Sequence, residues 1–354
     1  MKKMKIGVVG AGAISDIYLK NMTEMFDNLE VVSICANHLE HAAAKAETYG
    51  IRAVTFEEML ADPEIEIIVN LTPVGAHYGI IKAALMSGKH VYTEKTLTDD
   101  PKTAEELCAL ADEMGLYLCS APDTFLGAAL STARKAIRDG ILGDIHSFAI
   151  SATRNNDLLL SLFSFLRQPG CGILYDYAVY YVTALAALLG PVERVGGIIG
   201  RPYPTHVGII PQKPEFGKTF ESPNESQVSA VLKMKSGVTG TLHIDADSDM
   251  KDEAYFKIYG TKGVLTLSDP NRFGGDIVFL PISLDPRNES VPEVLTPVNP
   301  YSENSRGIGP SEMAESIMIG RPARTDKSLA LHVLKVLNGI LVGGEEGKFV
   351  NIEA

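Results

Sequence analysis

The sequence predicts an α/β protein with two domains, and three patterns support this. In the first third of the 354-residue chain, short apolar runs alternate with amphipathic segments, which is typical of parallel strands joined by helices. A glycine-rich turn follows the first run. Beyond residue 192, strand-like runs follow one another without long helices between them. We therefore expect a parallel-sheet domain over residues 1–121 and an α+β domain with a large, mostly antiparallel sheet over residues 122–354.

Composition and charge exclude several classes of protein. Hydrophobic residues make up 45% of the chain and charged residues 21%, as in folded globular proteins. The formal net charge of −12 argues against binding to nucleic acid or to an anionic membrane surface. We find no membrane span and no secretory signal pattern. The histidines show no metal-ligand spacing, and we expect no metal site. The cysteines are interpreted as reduced residues of a cytoplasmic protein, at Cys35, Cys108, Cys119 and Cys171.

The turn after the first strand is the first candidate site. It reads Gly10-Ala11-Gly12-Ala13-Ile14-Ser15, with serine where a third glycine or alanine is usual. Two glycines permit a tight turn and a close approach to a pyrophosphate, and the following helix points its N-terminus at that anion. Strand, turn and helix in this order predict a Rossmann dinucleotide-binding domain. Its expected cofactor contacts here are Gly10, Gly12, Ala13 and Ile14.

The end of the second strand bears on the choice between NAD and NADP. An acidic residue at this point would bind the ribose 2′-hydroxyl of NAD, but the chain has Ala36, Asn37 and His38. The missing carboxylate favours NADP over NAD, although no arginine replaces it. Asn37 and His38 are candidate cofactor contacts, and the alternative is that they cap the next helix.

Polar residues follow two further strands of this domain. Thr72 and Pro73 are expected against the dinucleotide, while His77 is either a ligand contact or an exposed residue of the helix surface. Glu94 and Lys95 follow the next strand. A lysine at the carboxyl end of a parallel strand points into the crevice where open α/β sheets bind ligands. The predicted strands cover residues 5–10, 30–36, 65–70, 90–93 and 116–120, and the predicted helices cover residues 39–49, 78–87 and 101–114.

The second domain carries another pair of chemical groups. Asp176 and Tyr180 lie four residues apart on a helix predicted to end at residue 189, so they share one face. The apolar run at residues 158–166 is interpreted as core. A sheet this wide needs both faces covered, so we expect a homodimer or homotetramer through its open face. The other predicted elements are helices at residues 132–139, 310–319 and 328–342 and strands at residues 145–152, 195–199, 226–234, 238–246, 255–259, 264–267 and 277–280.

Several motifs together carry a resemblance to a known family. They are GAGAIS at residues 10–15, NLTPVGAH at 70–77, the Glu94–Lys95 pair, RDGILGDI at 138–145 and GCGILYDYAVYY at 170–181. In these motifs and their order, the whole chain resembles the Gfo/Idh/MocA family of glucose–fructose oxidoreductases and inositol dehydrogenases, and Asp176 with Tyr180 resembles its tyrosine branch. The resemblance implies an NAD(P)-dependent oxidoreductase of carbohydrate metabolism that acts on a sugar, glycoside or polyol.

The expected chemistry joins three of these residues. Lys95, Asp176 and Tyr180 are expected to meet over the nicotinamide ring. Tyr180 would accept the alcohol proton, and Lys95 would favour its phenolate and hydrogen-bond the reacting oxygen; Lys95 as the base remains open. Asp176 would hold a substrate hydroxyl or orient Tyr180, the alternative being a carboxylate that only suits the helix start. Further candidate substrate contacts are Asp123, Arg154, Asn155, Asn304 and Arg306.

The resemblance breaks at Thr96, where the family usually has proline, often after a cis bond. Because a cis bond before threonine is unfavourable, we expect a trans Lys95–Thr96 bond, or else a strained cis one. Two other functions remain open. One is an enzyme that keeps NAD bound and oxidises a sugar transiently to eliminate or cleave a glycosidic group. The other is a non-catalytic regulator that senses a dinucleotide.

Overall fold

The computed structural model describes residues 2–168, 170–248, 253–283, 285, 287 and 289–353. The chain divides into two compact units, Met1–Leu126 with Asn304–Leu334, and Gly127–Glu303 with Lys335–Ala354. The predicted division after residue 121 treats each domain as one continuous segment. The observed first unit differs because it also takes in a later segment of the chain.

The first unit is a parallel sheet with helices in its crossovers. Its strands are β1 (Met4–Val9), β2 (Leu29–Cys35), β3 (Arg52–Ala53), β4 (Ile67–Asn70), β5 (His90–Thr93) and β6 (Leu118–Ser120), and its helices up to this point are α1 (Ser15–Glu24), α2 (Leu39–Tyr49), α3 (Phe56–Ala61), α4 (His77–Met86) and α5 (Pro101–Glu113). Within the described residues the strand order is β3-β2-β1-β4-β5-β6, and all pairs are parallel. The order reverses direction beside β1, which places the ligand crevice at the carboxyl ends of β1 and β4.

The second unit is built on a wider sheet. Its elements are α6 (Ala128–Arg138), β7 (Ile145–Thr153), α7 (Asn156–Leu162), α8 (Val179–Leu189), β8 (Val192–Gly200), β9 (Thr205–Val207), β10 (Thr219–Glu221), β11 (Gln227–Met234), β12 (Thr239–Asp245), β13 (Glu253–Gly260), β14 (Gly263–Leu267), β15 (Val278–Pro281) and β16 (Glu293–Val294). The chain ends with α9 (Ile308–Ile319), α10 (Lys327–Glu346) and β17 (Val350–Asn351). The sheet order in the described chain is β16-β15-β14-β13-β7-β12-β11-β8-β17, and only β7 and β12 pair in parallel. The predicted fold class is confirmed.

The two faces of this sheet differ. Along β11, Val228, Ala230, Leu232 and Met234 are buried, while the residues between them are exposed. Helix α8 packs on the buried face, where Tyr181 lies against Phe256 of β13 with ring centroids 6.4 Å apart. The second half of α10 approaches β8 closely, because its glycines leave room for the strand's side chains. The other face is the exposed side of the sheet.

The apolar run at residues 158–166 was expected to lie in the core, and for most of its residues this expectation is wrong. Leu160 and Leu166 are buried, but Leu158, Phe163 and Phe165 are 39%, 41% and 49% exposed. Helix α7 has only seven residues and is followed by a 3₁₀ turn at Ser164–Arg167. So short a helix buries one side, and the expected core role therefore fails for most of the run.

Helix α10 also differs from expectation. Within the described residues it is the one helix that is long and apolar enough, by length and composition, to cross a membrane, with a mean hydropathy of 1.2. No such run was expected from the sequence. Five apolar side chains of this helix are at most 3% exposed, at Val333, Leu334, Val336, Leu337 and Ile340. Core packing accounts for the apolar character at these five positions.

Candidate active site

The glycine turn after β1 has the geometry of an anion cradle. Gly10 has a φ of +107°, and a Cβ there would lie 2.9 Å from the carbonyl carbon of Leu71, so only glycine fits. A Cβ on Gly12 would meet nothing within 4 Å. Ile14 at the start of α1 makes no side-chain capping hydrogen bond, so the N-cap side chain does not compete with an anion at this helix N-terminus. These residues fit a dinucleotide pyrophosphate.

Ser15 explains the departure from the usual third glycine. Its side chain is fully buried, and its hydroxyl donates a hydrogen bond of 2.7 Å to the carbonyl oxygen of Gly12. Its N–H donates to the same oxygen at 3.0 Å. Ser15 therefore stabilises the turn through two hydrogen bonds to the Gly12 carbonyl oxygen.

Asn37 and His38 are exposed at the carboxyl end of β2. His38 occupies the N-cap position of α2, yet its side chain makes no capping hydrogen bond. Capping by this side chain is therefore wrong. The ring of His38 instead lies edge-on to that of His41, with centroids 5.5 Å apart.

Asn70 at the end of β4 organises the crevice, although the sequence analysis gave it no role. The side chain is fully buried. Its amide nitrogen donates to the Thr93 hydroxyl at 3.0 Å, and its amide oxygen accepts from the Thr72 hydroxyl at 2.7 Å. Asn70 thereby joins the ends of β4 and β5 and fixes the Thr72–Pro73 turn between them.

His77 is buried, so its interpretation as an exposed surface residue is wrong. Its Nε2 lies 2.9 Å from the carbonyl oxygen of Thr72, and its Nδ1 lies 2.8 Å from that of Thr96. Burial lowers the pKa of the imidazole, and its bonds to the two carbonyl groups oppose that shift. Since main-chain oxygens face both nitrogens, His77 links the turn after β4 to the turn that carries Lys95.

Glu94 and Lys95 lie at the same edge of the sheet as the glycine turn. Glu94 accepts a hydrogen bond of 2.7 Å from the hydroxyl of Tyr18 on α1, and its other oxygen accepts the N–H of Lys95 at 3.2 Å. The Lys95–Thr96 peptide bond is cis, so the first expectation, a trans bond, is wrong. The Lys95 side chain is half-buried at this position.

Asp123 lies in the first unit and is 2% exposed. Its carboxylate accepts the N–H of Gly309 at 2.9 Å, at the start of α9. Burial raises the pKa of Asp123 to about 6, against the opposing effects of the Gly309 hydrogen bond and the Arg306 charge. This placement favours a structural role at a helix N-terminus over the expected substrate contact.

The buried carboxyl of Asp123 predicts a pH effect on stability. Its folded-state pKa of about 6 lies above the ordinary value of 3.8, so the folded protein binds more protons within this window. Its contribution to the free energy of unfolding therefore falls as pH rises through the window, by on the order of 3 kcal/mol. Asp123→Asn should remove this fall. Chemical denaturation at several pH values would measure it, with the exposed Asp27→Asn as control. Parallel pH curves for wild type and Asp123→Asn would contradict the assignment.

Asn304 and Arg306 also belong to the first unit. The amide of Asn21 on α1 donates to the carbonyl oxygens of both residues, at 2.7 and 2.8 Å. The Arg306 guanidinium donates to the Asn304 side chain at 2.8 Å. The structure thus places both candidate substrate contacts beside α1, the helix that follows the glycine turn.

Asp176 and Tyr180 lie in the second unit across a change of helix type. Residues Leu174–Ala178 form a π-helical turn, and α8 begins at Val179. The sequence predicted one continuous helix. A π turn inserts extra backbone and often marks a functional site. Asp176 lies in the turn, and Tyr180 lies in the first turn of α8.

Arg154 approaches Asp176 from the end of β7. Its guanidinium lies 4.3 Å from the ring centroid of Tyr177, and its Nη1 lies 4.0 Å from an Asp176 oxygen. The hydroxyls of Tyr177 and Tyr181 are 3.0 Å apart, and both donate to Asp269. Burial raises the pKa of Tyr181 far above its ordinary value. Tyr181 is therefore no candidate for a base.

Asn155 has a structural role at the start of α7. Its side-chain oxygen accepts the N–H of Leu158 at 2.8 Å and so caps α7. A capping role accounts for this residue without a substrate.

Comparison with known proteins agrees with this geometry. Residues 4–121 match the model of an oxidoreductase family with an NAD-binding Rossmann fold, and residues 130–266 match the GFO/IDH/MocA C-terminal domain. The chain belongs to the Gfo/Idh/MocA family. The NAD(P)-binding character of the first domain follows from this membership.

Two curated members of the family illustrate the similarity. The scyllo-inositol 2-dehydrogenase (NADP(+)) of Bacillus subtilis (strain 168) is 27% identical over 193 residues, which are 54% of this chain and 53% of that protein. The D-glucoside 3-dehydrogenase of Escherichia coli (strain K12) is 29% identical over 192 residues, which are 53% of this chain and 54% of that protein. The chain thus spans about half the length of these relatives.

A solved structure of levoglucosan dehydrogenase in complex with NADH and L-sorbose has the same fold. It superposes with a TM-score of 0.86 over 100% of both chains, at 18% sequence identity. At this sequence identity, the comparison shows only that the two proteins share a fold.

Proposed function

We propose that this Gfo/Idh/MocA protein is an NAD(P)-dependent dehydrogenase or reductase that transfers a hydride between nicotinamide and a hydroxyl or carbonyl group of a sugar, glycoside or polyol. The observation that carries the proposal is the crevice of the first unit. There the Gly10 turn, which has no side-chain cap on its helix, shares a sheet edge with Lys95. The relatives named as inositol and glucoside dehydrogenases support this substrate class.

The residues divide the chemistry among them. The bound dinucleotide would supply the hydride acceptor or donor. Tyr180, as its phenolate, accepts the alcohol proton, and Lys95 hydrogen-bonds the reacting oxygen. Asp176, beside Arg154, holds a substrate hydroxyl. Asn70 and His77 hold the turns that carry Thr72 and Lys95, which keeps the lysine in a fixed place.

The end of β2 supports a preference for NADP. Asn37 and His38 are exposed there, and the residue before them is Ala36, which has no carboxylate. A 2′-phosphate would therefore meet neutral or basic side chains and no acidic side chain among these three residues.

Titration with NADPH and NADH tests the proposal. We expect both dinucleotides to bind, and NADPH to bind several-fold more tightly. If both bind and NADH binds more tightly, the preference for NADP is overturned but the proposed function is not. Failure of both to bind would overturn the proposed function. His38→Asp is the matched variant and should shift the preference towards NADH, because it places a carboxylate beside the 2′-oxygen.

The exposed face of the sheet supports a homodimer or homotetramer. One cross-strand row on this face contains Ile198, Ser229, His243, Ser151 and Tyr255. Ile198 is 74% exposed, and the row has no carboxylate although the chain carries a net charge of −12. Such a surface suits a second copy of the chain. A monomer in light scattering would contradict this assembly.

A further inference from the structure

The helix start that leads to Asp176 depends on a residue from a distant part of the chain. The N–H of Ile173 donates to the carbonyl oxygen of Glu225 at 3.2 Å, and the N–H of Leu174 donates to the Glu225 carboxylate at 3.0 Å. Ile173 and Leu174 are 4% and 0% exposed, so water does not replace these partners readily. Glu225 therefore satisfies two N–H groups at the start of the helix that carries Asp176 and Tyr180.

Glu225 is itself held by the sheet. The next residue, Ser226, donates its N–H to Gly200 of β8 at 3.0 Å and accepts the N–H of Ala246 at 2.9 Å, just beyond β12. On the other side, the Asn224 amide donates to the carbonyl oxygens of Leu166 and Gln168 at 2.9 and 2.8 Å. The segment 224–226 thus connects the sheet to the start of the helix that carries Asp176 and Tyr180, the two candidate catalytic residues.

Gly172 provides the space that the Glu225 carboxylate occupies. A Cβ on Gly172 would lie 2.1 Å from both carboxylate oxygens and 2.2 Å from the carboxyl carbon. Gly172 does not have a positive φ, so the constraint is space and not backbone conformation. An alanine at this position must displace the Glu225 carboxylate or the helix start.

Glu225 and Asp176 also line the same narrow cleft, together with Cys171 and side chains of α7. Burial raises the pKa of Glu225, and the hydrogen bond from Leu174 opposes that shift. The carboxyl is thus part of the wall around Asp176 and not an outlying surface group.

We propose that Glu225 is a positioning residue for Asp176 and Tyr180, and that Gly172 is the partner that lets its carboxylate dock under the π turn. This inference rests on the proposed function, since it concerns the reaction assigned to those two residues. Glu225 acts through the helix start and takes no part in proton or hydride transfer.

A double-mutant cycle on kcat/KM tests the proposal. We expect Glu225→Ala and Gly172→Ala each to lower kcat/KM by about 10²-fold, because a small displacement of reacting groups has this effect. The double variant should lose no more than Glu225→Ala alone, since removing the carboxylate removes the clash. Glu225→Gln keeps the acceptor oxygen and should recover most of the loss. Gly200→Ala, whose Cβ would make ordinary contacts of 3.5 Å and more, is the glycine control.

Affinity for NADPH separates positioning from general unfolding. The dinucleotide turn lies in the first unit, so Glu225→Ala should keep the wild-type Kd and binding stoichiometry while kcat falls. The inference would be overturned if the losses in kcat/KM of the two single variants multiplied in the double variant. Wild-type turnover in Glu225→Ala would also overturn it, as would a loss of dinucleotide binding that parallels the loss of turnover. If the wild-type protein turns over no substrate, the proposed function fails, and this inference fails with it; wild-type turnover with unaffected variants overturns the inference alone.

Discussion

Replacing Lys95 by alanine should lower turnover by roughly 10³-fold or more while dinucleotide binding is retained, since both a charge and a hydrogen-bond donor to the reacting oxygen are lost. The Lys95 backbone should remain in place, because its N–H is held by Glu94 and the next residue's carbonyl oxygen lies 2.8 Å from His77 Nδ1. Steady-state kinetics together with NADPH titration would measure the two effects separately.

Lys102→Ala provides the matched control for this experiment. Lys102 is exposed in the first turn of α5, in the same unit as Lys95. Its removal changes the net charge by the same amount and should leave kcat within about twofold, as a surface substitution does. Intact turnover in Lys95→Ala would show that the assigned mechanism is wrong.

Replacing Tyr180 by phenylalanine should lower kcat by roughly 10²–10³-fold, because only the hydroxyl that accepts the proton is lost. Tyr180 is 8% exposed, and phenylalanine keeps the ring that fills this space. KM for the substrate should change much less than kcat.

Tyr177→Phe distinguishes proton transfer from packing. Tyr177 is fully buried in the π turn that precedes α8, and its hydroxyl contacts Tyr181 and Asp269. Its loss should affect stability, by about 1 kcal/mol for a buried hydrogen bond, more than it affects kcat. If Tyr177→Phe and Tyr180→Phe lowered kcat equally, Tyr180 would not be the base.

The parts of the site that the sequence predicted depend on local signals. Gly10 and Gly12 follow a buried strand and precede a helix within a few residues, and the geometry of such a turn is set by the turn itself. Lys95 follows a four-residue strand whose predicted bounds agree with β5. The strand predicted at residues 226–234 likewise agrees closely with β11.

The parts that the sequence did not predict depend on distant partners. Asp123 binds an N–H group 186 residues away, and Glu225 binds one 51 residues away, so no local pattern indicates either role. The two hydrogen bonds of His77 were not predicted, because its carbonyl partners belong to two turns that only the sheet brings together. The π turn at Asp176 was missed because its residue types suit an α-helix equally well.

The most direct test of the account is hydride transfer itself. Purified protein would be mixed with NADP⁺ or NAD⁺ and with each member of a panel of polyols, sugars and glycosides, and the absorbance of the reduced nicotinamide would be followed. The account predicts reduction with at least one member of the panel, faster with NADP⁺, and loss of the signal in Lys95→Ala. If the protein binds neither dinucleotide and reduces neither, the assignment of the glycine turn as a dinucleotide site is wrong, and the proposed oxidoreductase function is wrong with it.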